Sequence, residues 1–302
     1  MTARDFVLLI GVCAMWALNT VVSALVVAPG HLTPAGVPPL FYAALRFGLV
    51  TLVTAPWLFP APRPSWRIVA VGLLMGGLSF GLLFVGLRTA APGAAGIVSQ
   101  IGVPASTVLS ILVLGEQVRW RRWLGIVLSL AGVVIVMWNP HSLRPSTGLL
   151  LVAAGACASS LGAVMMKQTE GVKPLQFQAW VGAASFPVMV AATAVAEHGQ
   201  LTQSLAGGWG LAAAVIYSAL AVSVGAHTAY FGLIQRYEQT LIAPLTLMGP
   251  LMTVALGVIL TGEQLGPRLA IGSVVALAGV LVIVLRRNHV APLAILLSRL
   301  RA

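Results

Sequence analysis

Ten apolar stretches, each at least 18 residues long, constrain this 302-residue chain more than any other feature. The hydrocarbon core of a bilayer needs about 20 apolar residues per helix to be crossed. Only 8% of the residues are charged, against about a quarter in a soluble domain, so too few charges exist to keep a surface in water. The sequence therefore predicts an all-α integral membrane protein with ten transmembrane helices, called spans 1 to 10, at residues 6–27, 38–59, 66–88, 91–114, 121–138, 148–168, 175–196, 209–235, 239–261 and 268–286.

The formal net charge of +11 indicates orientation in the membrane and gives no support for a nucleic-acid partner. Lys and Arg collect in the cytoplasmic loops of membrane proteins. With ten spans both termini share a side, and that side holds thirteen of the 17 basic residues, against three on the other. We therefore expect both termini in the cytoplasm, with residues 289–302 as a basic cytoplasmic tail.

One phrase occurs twice, as GEQVRWRRWLGIVLSLAGV at 115–133 and GEQLGPRLAIGSVVALAGV at 262–280, with ten identical residues at an offset of 147. Five spans precede the midpoint and five follow it, so the second half enters the membrane upside down. This predicts two inverted five-helix repeats, 1–145 and 146–288. Such repeats are typical of secondary transporters, whose halves rock about a site at the membrane midplane. A duplication without a present role is the alternative.

Proline interrupts two corresponding spans, with Pro104 in span 4 and Pro250 in span 9. Proline removes a helical hydrogen bond and clashes with the preceding turn. Interruptions in corresponding helices are the best sequence indication of a transporter's binding site. The two prolines could be packing kinks or working hinges.

Polar side chains inside the spans are the candidates for solute binding, because polar groups in hydrocarbon are costly. An amino acid would need amide and hydroxyl partners for its charged groups and an aromatic or apolar wall for its side chain. Each candidate could instead serve helix packing. The candidates are Trp16, Asn19, Ser99, Gln100, Ser160, His227 and Tyr230.

One arginine lies within a span, whereas all six acidic residues lie at helix ends or in loops. Arg46 in span 2 could attract a substrate carboxylate or pair with backbone carbonyls as a structural charge, and the structural role is favoured. Glu116 and Glu263 each follow a glycine at a helix end, so we predict that each caps the first N–H groups of the next helix. No acidic residue lies mid-membrane, which disfavours a carboxylate proton relay. The sequence predicts no catalytic residue, metal site or cofactor.

Leu45-Arg46-Phe47 in span 2, together with GEQ followed by LAGV in each half, resembles the drug/metabolite transporter superfamily, and its EamA-type branch most closely. Within the branch the chain is similar to bacterial exporters of aromatic and neutral amino acids. The resemblance implies the bacterial inner membrane and a central cavity lined by spans 1, 3, 4, 6, 8 and 9. It also implies that spans 5 and 10 are outer braces and that the GEQ segments do not touch substrate.

The expected function is a secondary transporter, acting as a monomer in the lipid bilayer, that exports small metabolites by alternating access through a central cavity. Amino acids are the favoured substrates. A multidrug or other metabolite exporter of the same fold is the alternative, and a channel is a weaker one. A membrane-embedded enzyme would need clustered acids, histidines or nucleophile–base pairs within the membrane, and the spans contain no such cluster.

Overall fold

The computed structural model describes residues 1–114, 120–139, 144–166, 171–237, 242 and 245–284, and every structural statement below concerns those residues. Glu116 and the predicted tail lie outside them. Helices α1 to α3 are Ala3–Val27, Pro39–Thr54 (continued by the 3-10 turn Ala55–Leu58) and Ser65–Gly86. Helix α4 comprises Pro92–Val98, the 3-10 turn Ser99–Ile101 and Gly102–Leu114. Helices α5 to α7 are Trp120–Met137, Thr147–Met166 and Pro174–Ala196. Helix α8 comprises Gln200–Ile216, Tyr217–Ala226 and His227–Arg236, and α9 and α10 are Met248–Thr261 and Pro267–Val284.

Eight of these helices are long and apolar enough to cross a membrane. The apolar part of α5, Trp123–Met137, and helix α9 are shorter, so the length criterion supports eight of the ten predicted spans. The described residues are otherwise helical or irregular, apart from a two-residue antiparallel ladder after α5, in which Trp138 lies opposite Pro145. The predicted start of span 8 at residue 209 lies beside a bend in α8 at Gly208, whose φ of +48° is easily adopted only by glycine.

Apolar side chains fill the bundle and also cover its outside. Tyr42, Phe84 and Ile97 are fully buried in the main cluster between helices. Trp209 and Val195, by contrast, are 91% and 84% exposed. Large apolar groups on the outside are unfavourable in water but suit contact with lipid, as the composition predicts.

Helices α5 and α10 approach most closely at four glycines of the repeated phrase. A Cβ atom added to Gly125 would lie 2.8 Å from the Gly279 carbonyl oxygen, and one added to Gly272 would lie 2.9 Å from the Gly132 carbonyl oxygen. Because the earlier glycine of each helix faces the later glycine of the other, the two helices run antiparallel. The later parts of both copies of the repeated phrase therefore pack against each other.

Helices α2 and α7, also five apart in chain order, pack in the same sense. A Cβ atom on Gly48 would lie 2.9 Å from the Phe186 ring, and one on Gly182 would lie 2.9 Å from the Thr51 hydroxyl oxygen. The residue numbers rise along α2 as they fall along α7, so this pair is antiparallel as well.

Helices α4 and α9 form a third antiparallel pair of this kind. A Cβ atom on Gly96 would lie 2.9 Å from the Thr253 side chain, and one on Gly257 would lie 3.2 Å from the Gly93 nitrogen. Antiparallel contact between corresponding helices is what an inverted duplication requires.

Two helices contain stretches of π-helix, in which the backbone hydrogen bonds run from i to i+5. They are Leu73–Leu78 in α3 and Tyr217–Ala226 in α8. At the 147-residue offset of the repeated phrase, residues 73–78 correspond to 220–225, which lie inside the second stretch. π-Helical turns are rare and are frequently found at functional sites. The sequence analysis did not predict them.

Ser185 of α7 inserts its hydroxyl into the first π-helical stretch. The Gly77 N–H donates to Ser185 Oγ at 2.7 Å, and this hydroxyl donates to the Gly72 carbonyl at 3.1 Å. One side chain therefore binds both the donor and the acceptor that a widened turn places in an unusual position.

Pro104 and Pro250 both occupy the third position of a helical segment, Gly102–Leu114 and Met248–Thr261 respectively. The missing N–H costs least in a first turn. In α4 the 3-10 turn Ser99–Ile101 lies directly before this segment, so the helix is interrupted where the sequence predicted. Whether either proline acts as a hinge stays a prediction.

Candidate substrate-binding site

Three aromatic side chains meet where α1 faces the last part of α8. The Trp16 ring lies 5.4 Å from the His227 ring and 5.0 Å from the Tyr230 ring, measured between centroids, and the contact with Tyr230 is edge-to-face. The sequence analysis named all three as candidates, and the structure brings them together.

Two hydrogen bonds hold this cluster in place. The Tyr217 hydroxyl donates to the Met15 carbonyl of α1 at 2.9 Å. His227 Nδ1 lies 2.8 Å from the Val222 carbonyl oxygen. A carbonyl can only accept, so Nδ1 carries the hydrogen, and Nε2 of a neutral ring is then an acceptor. The cluster therefore offers a fixed imidazole acceptor beside the Trp16 ring.

Several polar atoms around the aromatic cluster are buried without a hydrogen-bond partner in the described part of the chain. On α1 they are Trp16 Nε1, Asn19 Oδ1 and Ser23 Oγ, and on α8 they are Ser218 Oγ and Thr228 Oγ1. An unsatisfied buried polar group costs about 1–3 kcal/mol. A run of such atoms on two neighbouring helices is therefore expensive unless a ligand or water binds it.

Arg46 of α2 is completely buried beside this region. Its Nε and Nη2 atoms donate to the Ser223 hydroxyl of α8 at 3.1 and 2.9 Å, and its guanidinium carbon lies 4.1 Å from the centre of the Phe80 ring. Nη1 has no partner among the described residues. The described hydrogen bonds of Arg46 go to a side-chain hydroxyl, whereas the sequence analysis had favoured backbone carbonyls.

Ser99 and Ser160 lie at a different place, in a serine-lined cavity of about 310 Å³ between α3, α4 and α6. Ser79, Ser106 and Ser159 also line it, and its described lining includes no residue of α1 or α8. Ser160 donates to the Gly102 carbonyl at 2.8 Å and so joins α6 to α4. Six of the seven predicted site residues are thus divided between two places, and Gln100 belongs to neither. Gln100 follows Ser99 in the 3-10 turn and is half-buried.

Glu263 caps a helix, as predicted. The capped helix is α4, however, and not α10, the next helix along the chain, which the sequence predicted. Its carboxylate accepts from the N–H groups of Gly93 and Ala94 at 2.7 and 3.0 Å, at the start of α4 in the first half. The predicted partner of Glu263 was wrong because the chain after Gly262 leads away to α10, while α9 packs against α4. The cap therefore joins the two halves.

Glu197 makes a second cap of this kind, which the sequence analysis missed. It accepts from the N–H groups of Leu40 and Phe41 at 2.8 and 2.9 Å, at the start of α2. Proline at the first position of both capped helices could have marked them, since that position favours proline. Both caps lie on the side of the bundle where α1 and α3 end, and in both a second-half glutamate binds a first-half helix.

Lowering the pH from 7.5 to 5 should stabilise the wild-type protein relative to Glu263→Gln. Burial raises the pKa of Glu263 above its usual value, although the N–H groups of Gly93 and Ala94 oppose the shift. A group with a raised pKa in the folded state contributes stability that is complete below the unfolded pKa and is lost as pH rises through the folded pKa. Glutamine resembles the protonated group and does not titrate.

Thermal unfolding of both proteins in detergent, measured across this pH range, checks the prediction. Glu197→Gln serves as a control, because the same substitution is made there in a cap of the same geometry. Parallel pH profiles for wild type and Glu263→Gln would contradict the prediction.

The sequence profile of the EamA-like transporter family matches residues 5–138 and again residues 146–285. The chain belongs to the EamA-like transporter family. The two matches show that the family unit occurs twice in it. Together with the long apolar helices, they make this protein a multi-pass membrane transporter rather than an enzyme.

Related proteins match this EamA-type transporter over most of its length. A "probable amino-acid metabolite efflux pump" of Salmonella typhimurium is 27% identical over 291 residues, covering 92% of this chain and 94% of the relative. A protein of the same description in Escherichia coli strain K12 is 26% identical, with the same coverage. The "uncharacterized inner membrane transporter YedA" of that strain is 28% identical over 76% of each chain.

A solved crystal structure of another protein shares the fold of this EamA-type transporter. It matches with a TM-score of 0.62 at 20% sequence identity, covering 95% of this chain and 100% of the other. At this identity the likeness concerns the fold alone.

Proposed function

We propose that this EamA-type transporter exports amino acids across the bacterial inner membrane by alternating access. The observation that carries the proposal is the set of unpartnered buried polar atoms beside the aromatic cluster of α1 and α8. An amino acid has donors and an acceptor for such atoms, and Trp16 and Tyr230 offer ring faces to its ammonium group. The efflux-pump description of two relatives agrees with this substrate class.

The proposed mechanism uses the two halves, 1–145 and 146–288, as inverted units that rock about the site. Antiparallel contacts between α2 and α7, α4 and α9, and α5 and α10 support this arrangement. The excess of basic residues on the side of the termini supports a cytoplasmic location for both. We further propose that the monomer is the transporting unit, since the site is built within one chain.

Trp16→Ala should reduce amino-acid exchange at least about tenfold while the protein remains folded. Truncation removes a wall of the site and the ring face for the ammonium group, an effect of roughly 1.4 kcal/mol or more. The measurement is counterflow of radiolabelled leucine in proteoliposomes, with dipeptides and cationic drugs as further test solutes. Trp209→Ala is the matched control, because that side chain is 91% exposed on the outside of the bundle.

Equal exchange by the Trp16 variant and wild type would remove the α1–α8 cluster from the site and leave the serine-lined cavity as the alternative. Exchange of cationic drugs without any exchange of amino acids would instead overturn the substrate class and favour a multidrug exporter.

A further inference from the structure

We propose that Arg46 binds the carboxylate group of the transported solute, an inference that rests on the proposed function. The observation that carries it is a buried cation without an anion. Arg46 is fully buried, its Nη1 atom has no partner in the described structure, and its other described hydrogen bonds go to the neutral Ser223 hydroxyl. A charge buried in this way is costly unless it is paired.

Within the described ranges, no acid pairs with Arg46. Only six acidic residues occur in the sequence, and all lie at helix ends or in loops. Each acid that the structure describes has partners elsewhere. Asp5 accepts from the Tyr237 hydroxyl at 2.6 Å, and Glu197 and Glu263 cap α2 and α4. A carboxylate of the solute would supply the counterion that the described residues do not.

The positive charge of the Arg46 guanidinium selects an anion over an ammonium group, and the hydroxyl groups near it can donate hydrogen bonds to that anion. The Tyr42 hydroxyl lies near Ser23, Ser218 and the guanidinium. The Tyr42 hydroxyl also makes a long contact of 3.5 Å to the Ala214 carbonyl. A carboxylate can accept two parallel bonds from a guanidinium and further bonds from hydroxyls.

The position of Arg46 fits an amino acid whose carboxylate binds the guanidinium while its side chain lies against the aromatic cluster. Ser223, which holds the guanidinium, precedes His227 by one turn of α8, and Asn19 and Ser23 lie one turn apart on α1. The guanidinium lies between Ser223 of α8 and Phe80 of α3, and Arg46 is fully buried. A solute can therefore reach it only when the helices around it separate, so the described conformation is closed around this group.

The test is leucine counterflow in proteoliposomes by wild type, Arg46→Gln and Arg63→Gln, with unlabelled leucine and leucinamide as competitors. Leucinamide keeps the side chain and amine but lacks the carboxylate. We expect wild type to prefer leucine over leucinamide at least about tenfold. In Arg46→Gln we expect leucine exchange to fall at least about tenfold and this preference to be lost. Arg63 is exposed outside the helices, so the same change there should alter neither.

The outcomes separate the inference from the function on which it rests. Unchanged preference in folded Arg46→Gln, at normal or reduced flux, would overturn the carboxylate assignment and leave amino-acid export standing. Absence of amino-acid exchange by wild type would overturn both. If Arg46→Gln does not fold, Ser223→Ala replaces it: a weakened preference for leucine supports the assignment, and an unchanged one overturns it.

Discussion

Gly132→Ala should leave little folded transporter, with the free energy of unfolding reduced by about 3 kcal/mol or more. The added Cβ atom would lie 2.6 Å from the Ala276 Cα and 2.7 Å from its Cβ, far inside van der Waals contact. Both atoms belong to the rigid part of α10, so no side chain can turn away. Overpacking of this kind typically costs about 1–3 kcal/mol, and a collision with backbone lies at the upper end or beyond.

Gly232→Ala is the matched control for this prediction, because nothing lies within 4 Å of a Cβ atom added there. Alanine is also favoured over glycine inside a helix by about 1 kcal/mol. The control should therefore be as stable as wild type or more stable. The yield of monodisperse protein and the thermal midpoint in detergent measure both variants. A Gly132 variant with a wild-type midpoint would show that α5 and α10 are not in close contact.

Ser185→Ala should destabilise the protein by about 2 kcal/mol. The hydroxyl accepts from the Gly77 N–H and donates to the Gly72 carbonyl, and two hydrogen bonds of about 1 kcal/mol each are lost with it. Both lost partners lie in a buried helix contact, where water cannot easily replace the serine.

Ser204→Ala is the control for Ser185→Ala, because the Ser204 hydroxyl donates only to the Gln200 carbonyl of its own helix among the described contacts. Its unfolding midpoint should stay close to that of wild type. Denaturation followed by tryptophan fluorescence compares the two variants. Equal midpoints for both would mean that the π-helical stretch of α3 does not depend on α7.

The sequence predicted the apolar helices and the duplication because both are carried by individual residues. Hydropathy marks each span, and the repeated phrase can be aligned directly by eye. The sequence also predicted that Trp16 and His227 lie deep within helices. The pairing of α1 with α8, which brings those rings together, depends on tertiary packing that neither span encodes alone.

The contacts that the sequence missed depend on where distant backbone groups lie. Glu263 bonds to Gly93 rather than to the helix that follows it, and no local pattern indicates this. The π-helical stretches have no residue preference that would mark them in a sequence. Tyr42 and Ser218 were passed over because each looks like an ordinary packing residue until the burial of Arg46 is known.

The caps made by Glu197 and Glu263 have a consequence for the way this side of the protein opens. Pulling α4 away from the second half would strip Gly93 and Ala94 of the acceptor that their N–H groups now use. Water would have to hydrate those bare donors and the freed carboxylate at once. Opening on this side would thus require water to enter at the same time. If water could not reach these groups, this side of the protein would tend to stay closed.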